Sequence, residues 1–410
     1  MTPLKAMYCR TFQKAFRTAL PVLPYRKPEI LHDIKEIPDV LQEKNCRAVL
    51  LVTDKSIREH GLTERLEKAL AGARISCTVF ETIVNPTTDI IEKAVDLYRK
   101  QHCAALIGFG GGSSIDTAKA VGACIANPGR TLAQMSGILK VRRQLPPLFA
   151  VPTTAGTGSE TTLAAVVTDS KTRHKYPVND FPLIPHYAVL DPEVTVSLPP
   201  RMTATTGMDA LTHAVEAYIG GSTTAETRRE ARAAVRLIFR YIEEAWRNGE
   251  DRTARKQMLL ASFMAGDSFS KSYVGYVHAV AHSLGGMYNT PHGLANAVLL
   301  PHVLEAYGES VYQKLYELSI AAGIAAVGDD PERAAKKFIR AIRRLNRTMG
   351  IPETLPEIRK KDIPALAKLA DAEANPLYPV PVLWDAAELQ RFYYAVMERK
   401  KHNWHRKAAG

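Results

Sequence analysis

The chain has 410 residues, 46% hydrophobic and 23% charged, an ordinary globular composition with room for two domains or one large α/β unit carrying a second lobe. No apolar run reaches the ~18 residues a membrane span needs; the five cysteines, odd in number and without a CxxC pair, argue against both a disulfide framework and a thiolate metal site and point to a reducing, cytoplasmic setting. The net charge of +12 gathers in residues 1–27, in KKFIRAIRRLNR (336–347) and in the tail RKKHNWHRK (399–407), with no RRM, zinc-finger or helix-turn-helix pattern beside it, so solvated helix faces are expected and no nucleic-acid partner.

Residues 1–30 form a basic amphipathic extension. Within residues 1–27, Lys5, Arg10, Lys14, Arg17, Arg26 and Lys27 come without one acid, while Leu4, Tyr8, Phe12, Phe16 and Leu20 recur every four residues as an apolar helical stripe. The stripe is expected to pack on the protein's own surface or on a partner subunit. The alternative is an encapsulation or organelle-targeting signal; a secretory h-region is lacking.

From residue 31 to 198 short β-branched runs alternate with helical patterns. RAVLLVT (47–53), ISCTVFE (75–81), AALIGFG (104–110) and LFAVPTT (148–154) read as buried strands between amphipathic helices. That alternation implies βαβ units and a parallel sheet. After LDPEVTVSLPP (190–200) the texture becomes helical throughout, as in TAETRREARAAVRLIFRYIEEAWRNG, and an all-helical second domain is expected over 199–410.

Two turns in the first half suit a nucleotide. GFGGGSSIDTAKAVGA runs off a strand into a helix, and Gly111 and Gly112 would let a pyrophosphate approach the helix start; a plain tight turn is the alternative. PTTAGTGSE (152–160) supplies hydroxyls and flexible backbone at another strand end. Asp54 closes RAVLLVTD, where a carboxylate either accepts from a ribose hydroxyl, favouring NAD over NADP, or caps the next helix.

The stretch GYVHAVAHSLGGMYNTPHG (275–293) holds three of the twelve histidines. His278 and His282 are four apart, as are Asp209 and His213 in MDALTHAVEAY, so each pair leaves one helical face. Thr290 and Pro291 read as the cap and first residue of a helix that would turn His292 back toward the others. One carboxylate and up to four imidazoles can therefore converge, a donor set that suits Fe(II), Zn(II) or another divalent ion. Ala279 stands where a zinc metalloprotease carries its catalytic Glu, which disfavours peptide hydrolysis. A nucleotide-binding half beside a metal-binding half points to hydride transfer with a metal polarising the substrate oxygen.

GGGSSIDTAK (110–119), PTTAGTGSE, GMDALTHAVEAY (207–218), GYVHAVAHSLGGMYNTPHGLANAVLLPHV (275–303) and Asn375–Pro376 together closely resemble the iron-containing alcohol dehydrogenase family, near its lactaldehyde reductase and 1,3-propanediol dehydrogenase branch. The resemblance covers roughly residues 30–395. It implies a Rossmann-like parallel-sheet domain followed by an all-helical, dehydroquinate synthase-like metal domain. It implies an enzyme moving hydride between NAD(H) and a small primary alcohol, diol or aldehyde. The implied ligands of Fe2+, with Zn2+ as the alternative, are Asp209, His213, His278 and His292, leaving His282 for proton transfer. The implied cofactor contacts are Asp54, Asn85, Gly111, Gly112, Ser113, Asp116, Thr153, Thr154 and Lys175. Ala164 departs from relatives with a polar residue there, and the leader extends beyond the common core. A homo-oligomer is implied as well. The alternatives are a zinc-type polyol dehydrogenase, a dehydroquinate synthase-type lyase, or a nucleotide-binding assembly protein with a vestigial metal site.

Overall fold

The chain enters its main sheet through β1 (Glu29–Leu31), a three-residue strand too short to carry a sequence period. The computed structural model describes residues 1–172 and 174–398, so the basic tail lies outside the described residues. The four runs read as strands follow: β2 (Ala48–Asp54), β3 (Ser76–Thr82), β4 (Ala105–Gly110) and, after the two-residue β5 (Gly137–Ile138), β6 (Leu148–Pro152). The remaining strands are β7 (Ala164–Thr168), β8 (Lys175–Asn179) and β9 (Tyr187–Val189).

The six-stranded sheet has the order β1-β9-β6-β4-β2-β3 and is parallel throughout. Both faces are covered: Val49 and Leu51 of β2 enter one apolar cluster, Leu50 and Val52 the other. This is why the strand reads as a continuous apolar run. Burying each such side chain contributes about 1.5–3 kcal/mol. The chain steps outward from β2 to β3, then returns past β2 to β4 and continues to β6, so the switch in winding falls between β2 and β4. Ligands of doubly wound sheets bind outside the carboxyl ends at such a point, and Asp54 and the Gly110–Gly112 turn flank it. The strands β5, β8 and β7 form a separate small sheet.

Helices take over at Pro200–Ile219, which starts on a proline whose fixed φ suits a first turn. The helices Ala225–Arg247, Arg252–Ser272, Tyr276–Tyr288, His292–Tyr307 and later ones bury a common core. Two glycines permit close backbone approaches, Gly158 between the two halves and Gly293 within the helical one. Gly158, at φ +62, sits where a Cβ would come 2.7 Å from the Gly266 Cα, and a Cβ on Gly293 would collide with the Thr205 carbonyl.

Two expectations need correction. The leader is a helix, Pro3–Ala19, and it docks on the protein's own surface, but through its polar side: Cys9 and Gln13 are buried, while Leu4, Tyr8 and Phe12 stay 73%, 60% and 37% exposed. A spacing of four overshoots the ~3.6-residue turn by about 40° at each step, so the stripe winds around the helix; only its end, Phe16 and Leu20, reaches the protein. Docking is polar: Lys5 pairs with Asp371 at 2.7 Å, Arg10 donates to the Val380 and Pro381 carbonyls, and Gln13 to that of Tyr378. The second correction concerns Thr290 and Pro291. The helix begins at His292 with Pro291 as its cap residue, and the Thr290 hydroxyl donates instead to Glu357 at 2.6 Å.

Candidate metal and cofactor site

Asp209 and His213 project from the Pro200–Ile219 helix, His278 from the first turn of Tyr276–Tyr288, and His292 begins the helix that follows. One donor atom from each of the four lies within 4.8 Å of all the others. Asp209 Oδ1 is 3.3 Å from His292 Nε2 and 3.8 Å from His278 Nε2. The His213 and His278 rings stack at 4.4 Å between centroids, and Phe269 stacks on His213 at 4.0 Å. Asp209, His213 and His278 are buried, and His292 is half-buried.

The surroundings prepare these groups as ligands. Burial lowers His213 to about 3 against the pull of Asp209, and it lowers His278 well below its ordinary value with the His292 imidazole adding to the effect. Both rings are therefore neutral at pH 7, as ligation requires. Burial pushes the Asp209 carboxyl up, but the His292 and His213 imidazoles outweigh it and hold the group well below the usual carboxylate range. Glu216 Oε2 lies 2.6 Å from His278 Nδ1; facing the ionised carboxylate that nitrogen carries the proton, and Nε2 is left buried with no hydrogen-bond partner. Burial lifts Glu216 to about 7, opposed by N–H donors of Gly275 and Val277. Asn296 Nδ2 donates to Asp209 Oδ1 at 2.7 Å.

His282 stands beside this cluster rather than in it. Its ring stacks on His292 at 5.1 Å, and its Nδ1 lies 2.6 Å from Glu373 Oε1. Glu216, Asn296 and Glu373 went unmarked in the sequence. Glu216 follows Asp209 and His213 at the next step of the same helical face, and Asn296 follows His292 by four, so helical period alone could have found both. Glu373, distant in sequence, offered no such signal.

On the sheet side, Gly111 caps the Gly112–Ala126 helix without a side-chain bond, so its first N–H groups have no intrahelical acceptor. A Cβ on Gly111 would meet Thr154, and one on Gly112 would meet Thr157, so the two glycine-rich turns abut. Thr153 and Thr154 are buried beneath them, and Thr153 N–H donates to the Gly110 carbonyl. Asp54 caps the helix after β2 by accepting from Ile57 N–H at 3.0 Å through Oδ1. Lys175 Nζ donates to Asn85 Oδ1 at 2.8 Å, and Asn85 N–H reaches Ser113 Oγ at 3.4 Å, which gathers those three residues. Asp116 turns into the protein: Ser159 donates to Oδ1 at 2.6 Å and Val166 N–H to Oδ2 at 3.0 Å. Nearby, Lys119 is fully buried and donates to Thr162 and Ala164 carbonyls.

A family model described as iron-containing alcohol dehydrogenase matches residues 31–192, and one described as the Fe-containing alcohol dehydrogenase family, C-terminal, matches residues 203–396. The chain belongs to the iron-containing alcohol dehydrogenase family. It is 38% identical to the NAD-dependent methanol dehydrogenase of Bacillus methanolicus over 82% of this chain and 89% of that one. It is 34% identical to the lactaldehyde reductase of Escherichia coli strain K12 over 82% and 88%. Among solved structures, that of a 1,3-propanediol oxidoreductase superimposes with a TM-score of 0.87 at 34% identity, covering 90% of this chain and 98% of its own. As a member of this alcohol dehydrogenase family the chain is an oxidoreductase. Its donor set fits the iron of the family name: three imidazole nitrogens and one carboxylate, with His278 Nε2 buried and unpartnered. Among the described residues no helix is long and apolar enough to cross a membrane.

Proposed function

We propose that the chain transfers hydride between NAD(H) and a small primary alcohol, diol or aldehyde, with iron(II) held by Asp209, His213, His278 and His292. The observation that carries this reading is the gathering of those four donor atoms within 4.8 Å, with His213 Nδ1 3.3 Å from the Gly156 carbonyl in the turn that leaves the carboxyl end of β6. When bound, iron(II) supplies Lewis-acid polarisation of the substrate oxygen, worth several kcal/mol, and NAD(H) supplies or takes the hydride.

The chain's own residues do the rest. The uncapped helix start at Gly111 and Gly112 holds the pyrophosphate, with Ser113, Thr153 and Thr154 lining the turn. The second Asp54 oxygen accepts from a ribose hydroxyl and repels a 2′-phosphate. Lys175 and Asn85 close one side of the cofactor cleft. Asp116 contributes by fixing the glycine turn against β7. Burial keeps His213 and His278 neutral, and Glu216 keeps the His278 proton on Nδ1. His282 exchanges the proton with the substrate oxygen. The enzyme works as a cytoplasmic homo-oligomer on a small-molecule substrate, and the leader helix belongs to the folded protein rather than to a targeting signal. A zinc polyol dehydrogenase uses the same donor types, and the four converged ligands speak against a vestigial site.

Anaerobic purification, elemental analysis and NADH-linked turnover on two- to four-carbon aldehydes and diols test this reading. His278→Ala should lose the metal and turnover while keeping its secondary structure. Full activity of that variant at matched metal content would defeat the ligand assignment.

A further inference from the structure

His282 follows His278 by one helical turn, so both rings leave the same face of Tyr276–Tyr288. Across from it, Glu373 sits in the last turn of the helix Ile363–Ala374. One oxygen of this carboxylate, Oε1, lies 2.6 Å from His282 Nδ1 and accepts from the Tyr378 hydroxyl at 2.6 Å. The two helices are pinned close by: the Tyr276 hydroxyl donates to Asn375 Oδ1 at 3.0 Å, and Asn375 Nδ2 donates to the Trp384 carbonyl. Glu373 thus faces His282 from a braced position.

An ionised carboxylate only accepts hydrogen bonds, and neutral imidazole has one N–H. Facing Glu373, neutral His282 carries its proton on Nδ1 and its lone pair on Nε2. Among the described residues nothing bonds to Nε2. The pair is not sealed away; the side chains of His282 and Glu373 keep 41% and 35% exposure. A hydrogen bond between partly exposed side chains adds little to stability, so a simple clamp between helices is a weak reason for this arrangement.

We infer that Glu373 is a positioning residue for proton transfer, holding His282 in the tautomer and ring orientation in which Nε2 meets the substrate oxygen. This rests on the reading that His282 faces the substrate. In the oxidative direction the alcohol O–H bond breaks and its proton passes to Nε2, while the C–H bond breaks and its electron pair leaves as hydride to NAD+. In reduction the carbonyl carbon gains hydride from NADH, and the oxygen takes the proton from Nε2.

The test compares iron-loaded wild type with Glu373→Ala, Glu373→Gln, His282→Ala and the double alanine variant. Glu373→Ala should lower kcat for aldehyde reduction about 10- to 100-fold, the range that follows loss of the partner orienting a metal-bound imidazole. Iron content, NADH affinity and KM should hold. Glu373→Gln, which keeps an acceptor oxygen, should recover most of kcat, and Glu373→Ala should cost nothing further once His282 is alanine. In crystals of metal-free Glu373→Ala the His282 ring should turn from its present orientation. Unchanged kcat, loss of iron, additive losses in the double variant, no recovery in Glu373→Gln or an unmoved ring would each overturn the inference. Absence of NADH-linked turnover in the iron-loaded wild type would instead strike the proposed function itself, and full kcat in His282→Ala the placement of His282.

Discussion

Glu216→Gln alters the support of the metal site while leaving its volume alone. In the wild type Oε2 accepts from the Gly275 N–H at 2.8 Å and from His278 Nδ1 at 2.6 Å, and Oε1 accepts from the Val277 N–H at 2.8 Å. Glutamine offers one acceptor oxygen in place of two. If that oxygen keeps Val277, the Gly275 N–H faces an NH2 donor, which costs about 1–3 kcal/mol for a buried unsatisfied group. His278 can relieve its own conflict by moving its proton to Nε2, so that Nδ1 accepts from the new amide. That tautomer takes away the lone pair a metal needs. Losing the outer partner of a ligating imidazole costs about 10- to 100-fold in affinity, or about 1.4–2.8 kcal/mol. The expected result is a metal-free protein that melts earlier in calorimetry and an iron affinity, measured anaerobically against a competing chelator, lower by that factor. A variant with reduced stability but wild-type iron affinity would refute the tautomer argument, because the carboxylate would then be holding the backbone alone.

The other predictions draw on separate features. Asp54→Gly should raise kcat/KM for NADPH relative to NADH, since removing a carboxylate near a 2′-phosphate relieves about 1 kcal/mol or more of repulsion, while glycine still caps the helix to within a few tenths of a kcal/mol; an unchanged cofactor ratio contradicts the ribose role. Burial lifts the Glu160 carboxyl from 4.5 to about 7, its own backbone N–H and the Lys119 ammonium only partly offsetting the shift. Between those values the folded protein keeps a proton the unfolded chain has released, so stability should fall as pH rises through that window, by up to roughly 3 kcal/mol. Glu216, lifted to the same range, contributes a like slope, so denaturant unfolding of metal-free Glu160→Gln should show the slope reduced by roughly half, and an unaltered slope would deny Glu160 any part in it. Gly293→Ala should push the His292 helix away from the Thr205 carbonyl, costing about 1–3 kcal/mol as overpacking does and lowering iron affinity in the same chelator assay; unchanged melting and unchanged iron binding would refute the close approach.

The parts of this architecture that sequence exposes are those governed by a local period. The runs at β2, β4 and β6 were legible because a strand covered on both faces is apolar throughout, and the half-buried edge strand β3 through its β-branched and aromatic residues, whereas β1 and β9 span three residues each and have no period to read. Asp209 with His213, and His278 with His282, were legible because a spacing of four marks one helical face. The same rule reaches Glu216. It fails for the leader, where a strict four-residue repeat drifts around the helix and the docked face turned out to hold Cys9 and Gln13.

What no period carries is which face one helix presents to another. Glu373 meets His282 across a separation of 91 residues, and its place is set by Asn375, Tyr276 and Tyr378 rather than by any pattern of its own. Asp116 makes the converse point. It stands in a glycine-rich motif whose resemblance implies a cofactor contact, yet both its oxygens are engaged by Ser159 and Val166. A turn that must hold a phosphate has to be held itself, so motif residues divide between touching the ligand and bracing the loop. Spacing is blind to that division because both kinds are needed at the same place in the chain; only the direction of each side chain, fixed by the packing of β7 and the 159 turn against the Gly112–Ala126 helix, separates them.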